Sequence, residues 1–268
     1  MRQFLLIIFL VMAVPVLAQK QGRALIDSLV GELPKAVNDT VKGRLYRVIT
    51  EESFFINVDQ ALHYSRLGLQ HTTRMKWQRG IGVFNAYMGR VYNEKGNYDS
   101  SRYYLLKAIT IYKKLGDTWN LASTTNNLGV AEQNIRSNYP AATRYYFEGL
   151  KYAEAAGDNY LIGLCLDNIS EIYRIQKNFP KALQFGQKAL ILRQKQGNPD
   201  INARREYAMA LSSMAALYTQ MEDWPKARDY GFKALAEHQK VDNQEGMAKT
   251  YGNLSVAMQR DYPQKIAY

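Results

Sequence analysis

The residues with the most obvious capacity for catalysis are three histidines and one pair of adjacent glutamates. His63, His71 and His238 are far apart in the sequence, and none has a cysteine or carboxylate at metal-ligand spacing. Glu51 and Glu52 are neighbours, so on a helix their carboxylates would point about 100° apart, a poor geometry for paired acid–base catalysis. The sequence therefore predicts a protein that is not an enzyme, with no metal site and no cofactor, whose histidines are solvated or cap helices.

Binding chemistry is better represented, by asparagines that recur ahead of a short apolar motif. Asn127, Asn168 and Asn253 each precede a Leu or Ile that is itself followed by Gly or Ser. A side-chain amide can donate and accept a hydrogen bond at once, so it can hold a peptide backbone or a carboxylate. Repetition of this amide predicts a ladder suited to an extended ligand. The alternative is that these amides bond only to a neighbouring helix.

Pairs of small residues seven apart mark the helices that would position these asparagines. Seven residues is two helical turns, so both small side chains lie on one face and let a second helix approach closely. Successive first members of the pairs are 40, 41, 40 and 45 residues apart, a regularity typical of stacked helical units. The pairs are Ala61 and Gly68, Ser101 and Ala108, Ala142 and Gly149, Ala182 and Ala189, and Ala227 and Ala234.

Turn signals divide each unit into two helices, and no segment has the pattern of a strand. Glycine is expected to end a helix, and Asp or Asn to cap the next one. The wide fourth interval predicts extra residues near 196–205, as a bulge or a longer helix. The expected turns lie at Lys95-Gly96-Asn97, Leu115-Gly116-Asp117, Arg136-Ser137-Asn138, Ala156-Gly157-Asp158, Lys177-Asn178, Gly197-Asn198-Pro199, Glu222-Asp223 and Val241-Asp242-Asn243.

The segment Asn126-Asn127-Leu128-Gly129, followed by Tyr139-Pro140-Ala141-Ala142 and Gly149-Leu150, resembles a tetratricopeptide repeat. The units here are near 40 residues, longer than the 34 residues of the basic family unit. Such long units resemble those of peptide-binding regulatory scaffolds and of the sensory regions of bacterial signalling proteins. The resemblance implies an all-α, right-handed α-α superhelix of about five helical pairs plus a partial sixth.

The resemblance also implies which side chains face a ligand, because in this family the first helix of each pair lines a concave groove. Asn127, Asn168 and Asn253 take the groove-facing position just before the packing pair. We therefore predict that the ladder of amides faces the groove. The other side chains expected on the same surface are Arg90, Asn126, Asn134, Arg174 and Lys249.

Residues 1–18 resemble a secretory signal peptide. Arg2 is a basic start, an apolar run extends from Phe4 to Val14, and Val16 and Ala18 suit cleavage after Ala18. The run is short for a membrane span, which needs about 20 residues, although an uncleaved anchor is the alternative. We expect a periplasmic or secreted protein with no membrane span in the mature chain. A polar lead-in is expected at 19–40 and the repeat array at 41–268, with units at about 41–76, 77–116, 117–157, 158–198 and 199–242 and a partial unit at 243–268.

The formal net charge is +11, but the basic residues are scattered, with no run of five or more. Nucleic acid is therefore not an expected partner of an exported chain of this kind. The single cysteine, Cys165, cannot form an intramolecular disulfide and lies in an apolar run, so a buried thiol is expected.

The predicted function is a non-enzymatic scaffold that binds a protein or an extended peptide. Two alternatives stay open. One is the ligand-sensing ectodomain of a membrane-bound histidine kinase, nucleotide cyclase or transcription regulator, truncated before its output domain. The other is an exported enzyme, for which we find no set of catalytic residues. The sixth unit is incomplete after about Pro263, so self-association, a partner or a continuing chain is expected at this open end.

Overall fold

The structure is a computed structural model that describes residues 22–54, 56–194 and 200–261. Within these residues there are helices and turns but no strand, which confirms the predicted all-α helical-repeat class. The expected signal peptide, the turn at 197–199 and the end of the sixth unit lie outside the described residues. The helices are α1 at 22–32, α2 Asp39–Phe54, α3 Val58–Arg74, α4 Gln78–Glu94, α5 Tyr98–Leu115, α6 Thr118–Asn134, α7 Tyr139–Ala156, α8 Asn159–Ile175, α9 Phe179–Gln194, α10 Ile201–Gln220, α11 Trp224–Lys240 and α12 Gln244–Asp261.

The stretch expected to be a polar lead-in contains helix α1. Ile26 is buried on this helix, at 1% exposure, while the neighbouring Leu25 is largely exposed. A short 3-10 turn at Leu33–Lys35, with Pro34 in it, separates α1 from α2. The residues before Pro34 are thus helical, and the 3-10 turn and the bend at 37–38 separate them from α2.

Side-chain caps fix where many of the helices begin. Asn97, Asp117, Asp158 and Asp223 each accept a hydrogen bond from a backbone N–H in the first turn, at 2.8–3.3 Å. Each such cap typically stabilises a helix by about 1 kcal/mol. The turns between helices contain a residue with positive φ, as at Gly96, Gly116 and Gly157 but also at Ser137, Lys177, Glu222 and Asp242.

The small residues of the repeat are buried at helix contacts, as predicted. Ala61, Ala108, Ala182 and Ala234 all have 0% exposure. A Cβ added at Gly68 would lie 2.2 Å from Cε1 of the Phe84 ring, so no larger residue fits there without movement. The spacing therefore exists because facing helices come close together at these positions.

The described residues divide into two compact units, the first ending at Asn138 and the second beginning at Tyr139. In the first unit the paired helices are α2 with α3 and α4 with α5, followed by α6. The first helices of the pairs, α2, α4 and α6, contact one another in sequence, whereas the backbones of α3 and α5 do not come close to each other. The first helices of this unit thus form one continuous layer, with the second helices packed against it.

The second unit contains the pairs α8 with α9 and α10 with α11, together with α7 and α12. Here too the first helices, α8, α10 and α12, contact one another in sequence. Its core includes Met214, Leu217 and Tyr218 from α10 and Ala234 from α11. Helix α10 has 20 residues where α6 and α8 have 17, so part of the extra length expected near 196–205 lies in a longer helix.

No helix in the described part of the chain is both long enough and apolar enough to cross a membrane.

Candidate functional site

The predicted groove residues all lie on first helices of the pairs. Arg90 is on α4, Asn126, Asn127 and Asn134 are on α6, Asn168 and Arg174 are on α8, and Lys249 and Asn253 are on α12. The layer of first helices in each unit therefore carries one half of the set.

In the first unit, Asn127 is half-buried and leaves its side chain available. Its backbone carbonyl accepts a hydrogen bond from Nδ2 of Asn93 at 2.9 Å, but its side-chain amide has no hydrogen-bond partner among the described residues. Asn134, two turns further along α6, is exposed. These two side chains could each donate and accept a hydrogen bond to a ligand.

Arg90 and Asn126 are less accessible than the prediction assumed. The guanidinium carbon of Arg90 lies 3.7 Å from the centre of the Phe54 ring, a cation–π contact that ties α4 to α2. Asn126 is only 3% exposed, so it lies within the packed body of the unit and not on an open surface. Whether either residue contacts a ligand stays a prediction.

In the second unit, Arg174 is half-buried and forms a bidentate ion pair with a glutamate on its own helix. Its Nε and Nη2 donate to the two carboxylate oxygens of Glu171 at 2.7 and 2.6 Å. These hydrogen bonds are the main reason that the pKa of Arg174 is raised. Ser170 lies beside this pair and donates a hydrogen bond to the carbonyl of Ala182. The pair fixes a charged surface on α8 next to the half-buried Asn168.

On α12, Asn253 is half-buried and its side-chain amide bonds to no described residue. Lys249 is exposed and donates to the carboxylate of Glu245 at 2.6 Å, which lowers the pKa of that glutamate. An exposed i,i+4 pair of this kind is worth only a few tenths of a kcal/mol, so Lys249 can exchange it for a ligand.

A polar network between α2 and α4 was not predicted from the sequence. The hydroxyl of Tyr87 donates to the Glu51 carboxylate, which also accepts from Nη1 of Arg47 at 2.7 and 2.9 Å. Burial, and next the charge of Glu51, raise the pKa of Tyr87. Tyr87 precedes Asn127 by one repeat, so it holds the ladder position of the second unit of the repeat. This position in the repeat was the feature of the sequence that could have identified Tyr87 as a site residue.

A buried ion cluster in the second unit was also missed. Nη2 of Arg193 lies 2.7 Å from Oδ2 of Asp167, and its Nε lies 3.9 Å from Oε2 of Glu206. Burial is the main cause of the raised pKa values of both carboxyls, and the Arg193 charge opposes it. One cation shared by two carboxylates joins α8, α9 and α10, so we assign this cluster a structural role.

Two of the three histidines are buried between helices, which corrects the expectation that they are solvated or cap helices. His71 is 6% exposed and its Nε2 lies 2.8 Å from the carbonyl oxygen of Asp39 at the start of α2. His238 has 0% exposure and contacts Ser212 and Asn243. Helix packing at the ends of α3 and α11 encloses them. Among the residues that the structure describes, no three His, Cys, Asp or Glu side chains cluster as a metal site would require.

Cys165 is fully buried on α8, as expected. Burial raises the pKa of its thiol to about 12, so the reactive thiolate is scarce at neutral pH.

Comparison with known proteins supports the repeat assignment. A family model described as "Tetratricopeptide repeat" matches residues 86–115 and 163–195, which fall on α4–α5 and on α8–α9. No curated protein matches the sequence.

Solved structures share the fold at low sequence identity. BtubC (BKLC) from P. vanneervenii is 17% identical with a TM-score of 0.67, covering 84% of this chain and 93% of that one. A Rap protein in complex with Competence and Sporulation Factor is 12% identical with a TM-score of 0.72, covering 88% and 67%. NprR in complex with its cognate peptide NprX is 15% identical with a TM-score of 0.60, covering 92% and 68%. These likenesses establish the architecture.

Proposed function

Because the chain is a repeat protein of the tetratricopeptide type, we propose that it is a non-enzymatic scaffold that binds a protein or an extended peptide along its first helices. The observation that carries the proposal is the state of two ladder amides, Asn127 on α6 and Asn253 on α12. Both hold the same position relative to the packing pair, and neither side chain bonds to a described residue. An amide used only for packing between helices would be expected to bond a neighbour, because burying it unbonded costs free energy.

The composition of the two first-helix layers suits a polypeptide ligand. In the first unit, Asn127 and Asn134 offer amides that can pair with a peptide backbone. In the second unit, the Arg174–Glu171 pair and Lys249 offer charges that can select side chains or a terminal carboxylate. NprR, which has the same fold, was solved in complex with its cognate peptide NprX, which supports the same class of ligand here.

The test is selection of linear peptides from a random display library on the purified chain, followed by calorimetric titration of synthetic hits. We expect peptides that bind with one-to-one stoichiometry and compete with one another for one surface. Selection of no sequence above the background of an uncoated surface would contradict the proposal.

We further propose that the chain is exported, with cleavage after Ala18. The proposal depends on the pattern of residues 1–18 alone. Expression in a bacterial host and fractionation should place a product that begins at Gln19 in the periplasm or medium, as N-terminal sequencing would show. An uncleaved product in the membrane fraction would favour an anchor instead.

A further inference from the structure

A cavity lies in the first unit where α3, α4 and α5 come together. Helices α3 and α5 both pack against α4, but their backbones do not come close to each other, and side chains from all three helices line the gap between them. The gap forms a cavity of about 770 Å³, which we call the outer cavity. This volume is within the range of about 300–1,000 Å³ typical of sites for small ligands.

The interior of the outer cavity is largely apolar and aromatic. Leu69 from α3, Ile81 from α4 and Leu106 and Ile111 from α5 line it. Tyr104 forms part of the wall and is fixed by stacking on Tyr92, with ring centres 5.6 Å apart and planes within 5°. A preformed apolar surface with a rigid aromatic wall favours an apolar or aromatic body in the ligand.

One buried amide lines this apolar surface. Asn85 on α4 is 3% exposed, and its Nδ2 donates to the carbonyl of Ile81 in its own helix at 2.7 Å. Its Oδ1 accepts no hydrogen bond from any described residue. The equivalent place in two other repeats holds a buried leucine, Leu166 or Leu211. Packing therefore does not require an amide here, and its free oxygen is suited to an N–H donor of a ligand.

The rim of the outer cavity carries an excess of positive charge. Arg102 and Lys107 are exposed on α5, and neither pairs with a carboxylate among the described residues. The ammonium of Lys107 lies 4.3 Å from the centre of the exposed Tyr103 ring, which positions it at the mouth of the cavity. Asp99 is the single carboxylate among the described lining residues, so the rim has a net charge that favours an anion.

We propose that the outer cavity binds a small amphipathic organic anion. The apolar body of the ligand packs between Leu69, Tyr104 and Leu106, an N–H group donates to Oδ1 of Asn85, and a carboxylate or sulfonate lies between Arg102 and Lys107. None of the predicted groove residues lines this cavity. The site is therefore independent of peptide binding along the first helices, and either proposal can fail without the other.

The probe for the test is 8-anilinonaphthalene-1-sulfonate, which combines an aromatic body, an N–H group and an anionic group and fluoresces in apolar surroundings. We expect saturable binding of one molecule per chain. The double variant Arg102→Glu, Lys107→Glu should bind about tenfold more weakly, because two attractive charges become repulsive. The matched control Lys113→Glu, Lys114→Glu changes the same charges on the exposed end of the same helix, outside the cavity, and should bind within about twofold of the parent.

A second variant tests the interior. Asn85→Leu removes the acceptor and fills volume with the residue used by two other repeats, so the probe should bind at least about tenfold more weakly while the melting temperature is kept or raised. Circular dichroism confirms folding of each variant. The proposal would be overturned if the two charge variants lost binding equally or if neither lost binding. It would also be overturned if Asn85→Leu bound the probe as well as the parent chain does.

Discussion

Nδ2 of Asn243 lies 3.1 Å from Nδ1 of His238, so the amide donates to a ring nitrogen that carries no proton. The other ring nitrogen, Nε2, lies 3.0 Å from Oγ of Ser212 and can donate to it. The amide cannot simply turn over, because Oδ1 of Asn243 accepts the backbone N–H of Gly246 at 3.0 Å and so caps α12. The buried imidazole is thus held neutral by the cap of the next helix.

This relationship predicts loss of stability in mild acid. Burial lowers the pKa of His238 below 6.5, so the unfolded chain binds a proton more readily than the folded one. The contribution to stability is present at a pH above the unfolded value and is lost as the pH falls from about 6.5 through the folded pKa. Denaturant unfolding between about pH 8 and pH 5 should show this loss, and His238→Gln should flatten the profile.

The control for this prediction is His63→Gln, because His63 is exposed on α3. Its pH profile should follow that of the parent chain. An identical acid dependence in the parent and in His238→Gln would show that other groups cause the loss.

If the asparagine ladder binds the ligand, replacing one of its amides should weaken peptide binding without changing the stability of the fold. Replacing Asn127 by Ala should weaken binding of a selected peptide by about 1–2 kcal/mol, the size expected for a lost hydrogen bond, with unfolding changed by less than about 0.5 kcal/mol. Titration calorimetry and thermal melting measure the two quantities. Asn202→Ala, an exposed asparagine at the start of α10, is the matched control and should change neither. A large drop in stability of the Asn127 variant would assign its amide to packing.

Two glycines in helices should respond in opposite directions to replacement by alanine. At Gly68 the added methyl would meet the buried Phe84 ring at 2.2 Å, so Gly68→Ala should destabilise the protein by about 1–3 kcal/mol. At Gly252 in α12 the methyl would meet nothing within 4 Å, so Gly252→Ala should stabilise by about 0.5–1 kcal/mol. Chemical denaturation of the two variants checks both signs. A stabilising Gly68→Ala would refute the packing account of the repeat.

The turn between α10 and α11 should be improved by glycine. Glu222 has a φ of 59°, a conformation that costs L-residues about 1–2 kcal/mol and that glycine adopts freely. Glu222→Gly should therefore stabilise by about 0.5–1 kcal/mol, after the extra chain entropy of glycine is allowed for. The reverse change, Gly116→Ala at a φ of 62° with open space around it, should destabilise by a similar amount. Melting temperatures that move in the same direction for both variants would contradict this.

The sequence predicted the parts of the fold that depend on local rules. Gly96 and Gly116 lie in the expected turns, Asp117 and Asp158 cap the expected helices, and Ala182 is buried at a helix contact. These features follow from backbone geometry and helical spacing, which a single sequence displays directly.

What the sequence did not predict depends on contacts between distant residues. Tyr87 meets Glu51, 36 positions away, and Asp167 meets Arg193 across a helix pair. Such contacts are fixed by the angle at which helices cross, which no local pattern encodes. For the same reason Asn126, next to the half-buried Asn127, could not be recognised as a buried residue.

The burial of Cys165 has a practical consequence for experiments on this chain. Since it is the only thiol and is protected inside the second unit, a maleimide dye should react with it only when that unit opens. A cysteine introduced at an exposed position, such as Lys188 on α9, could then be labelled selectively without first deleting the native one. The rate at which the native thiol reacts would at the same time report how often the helices around it open.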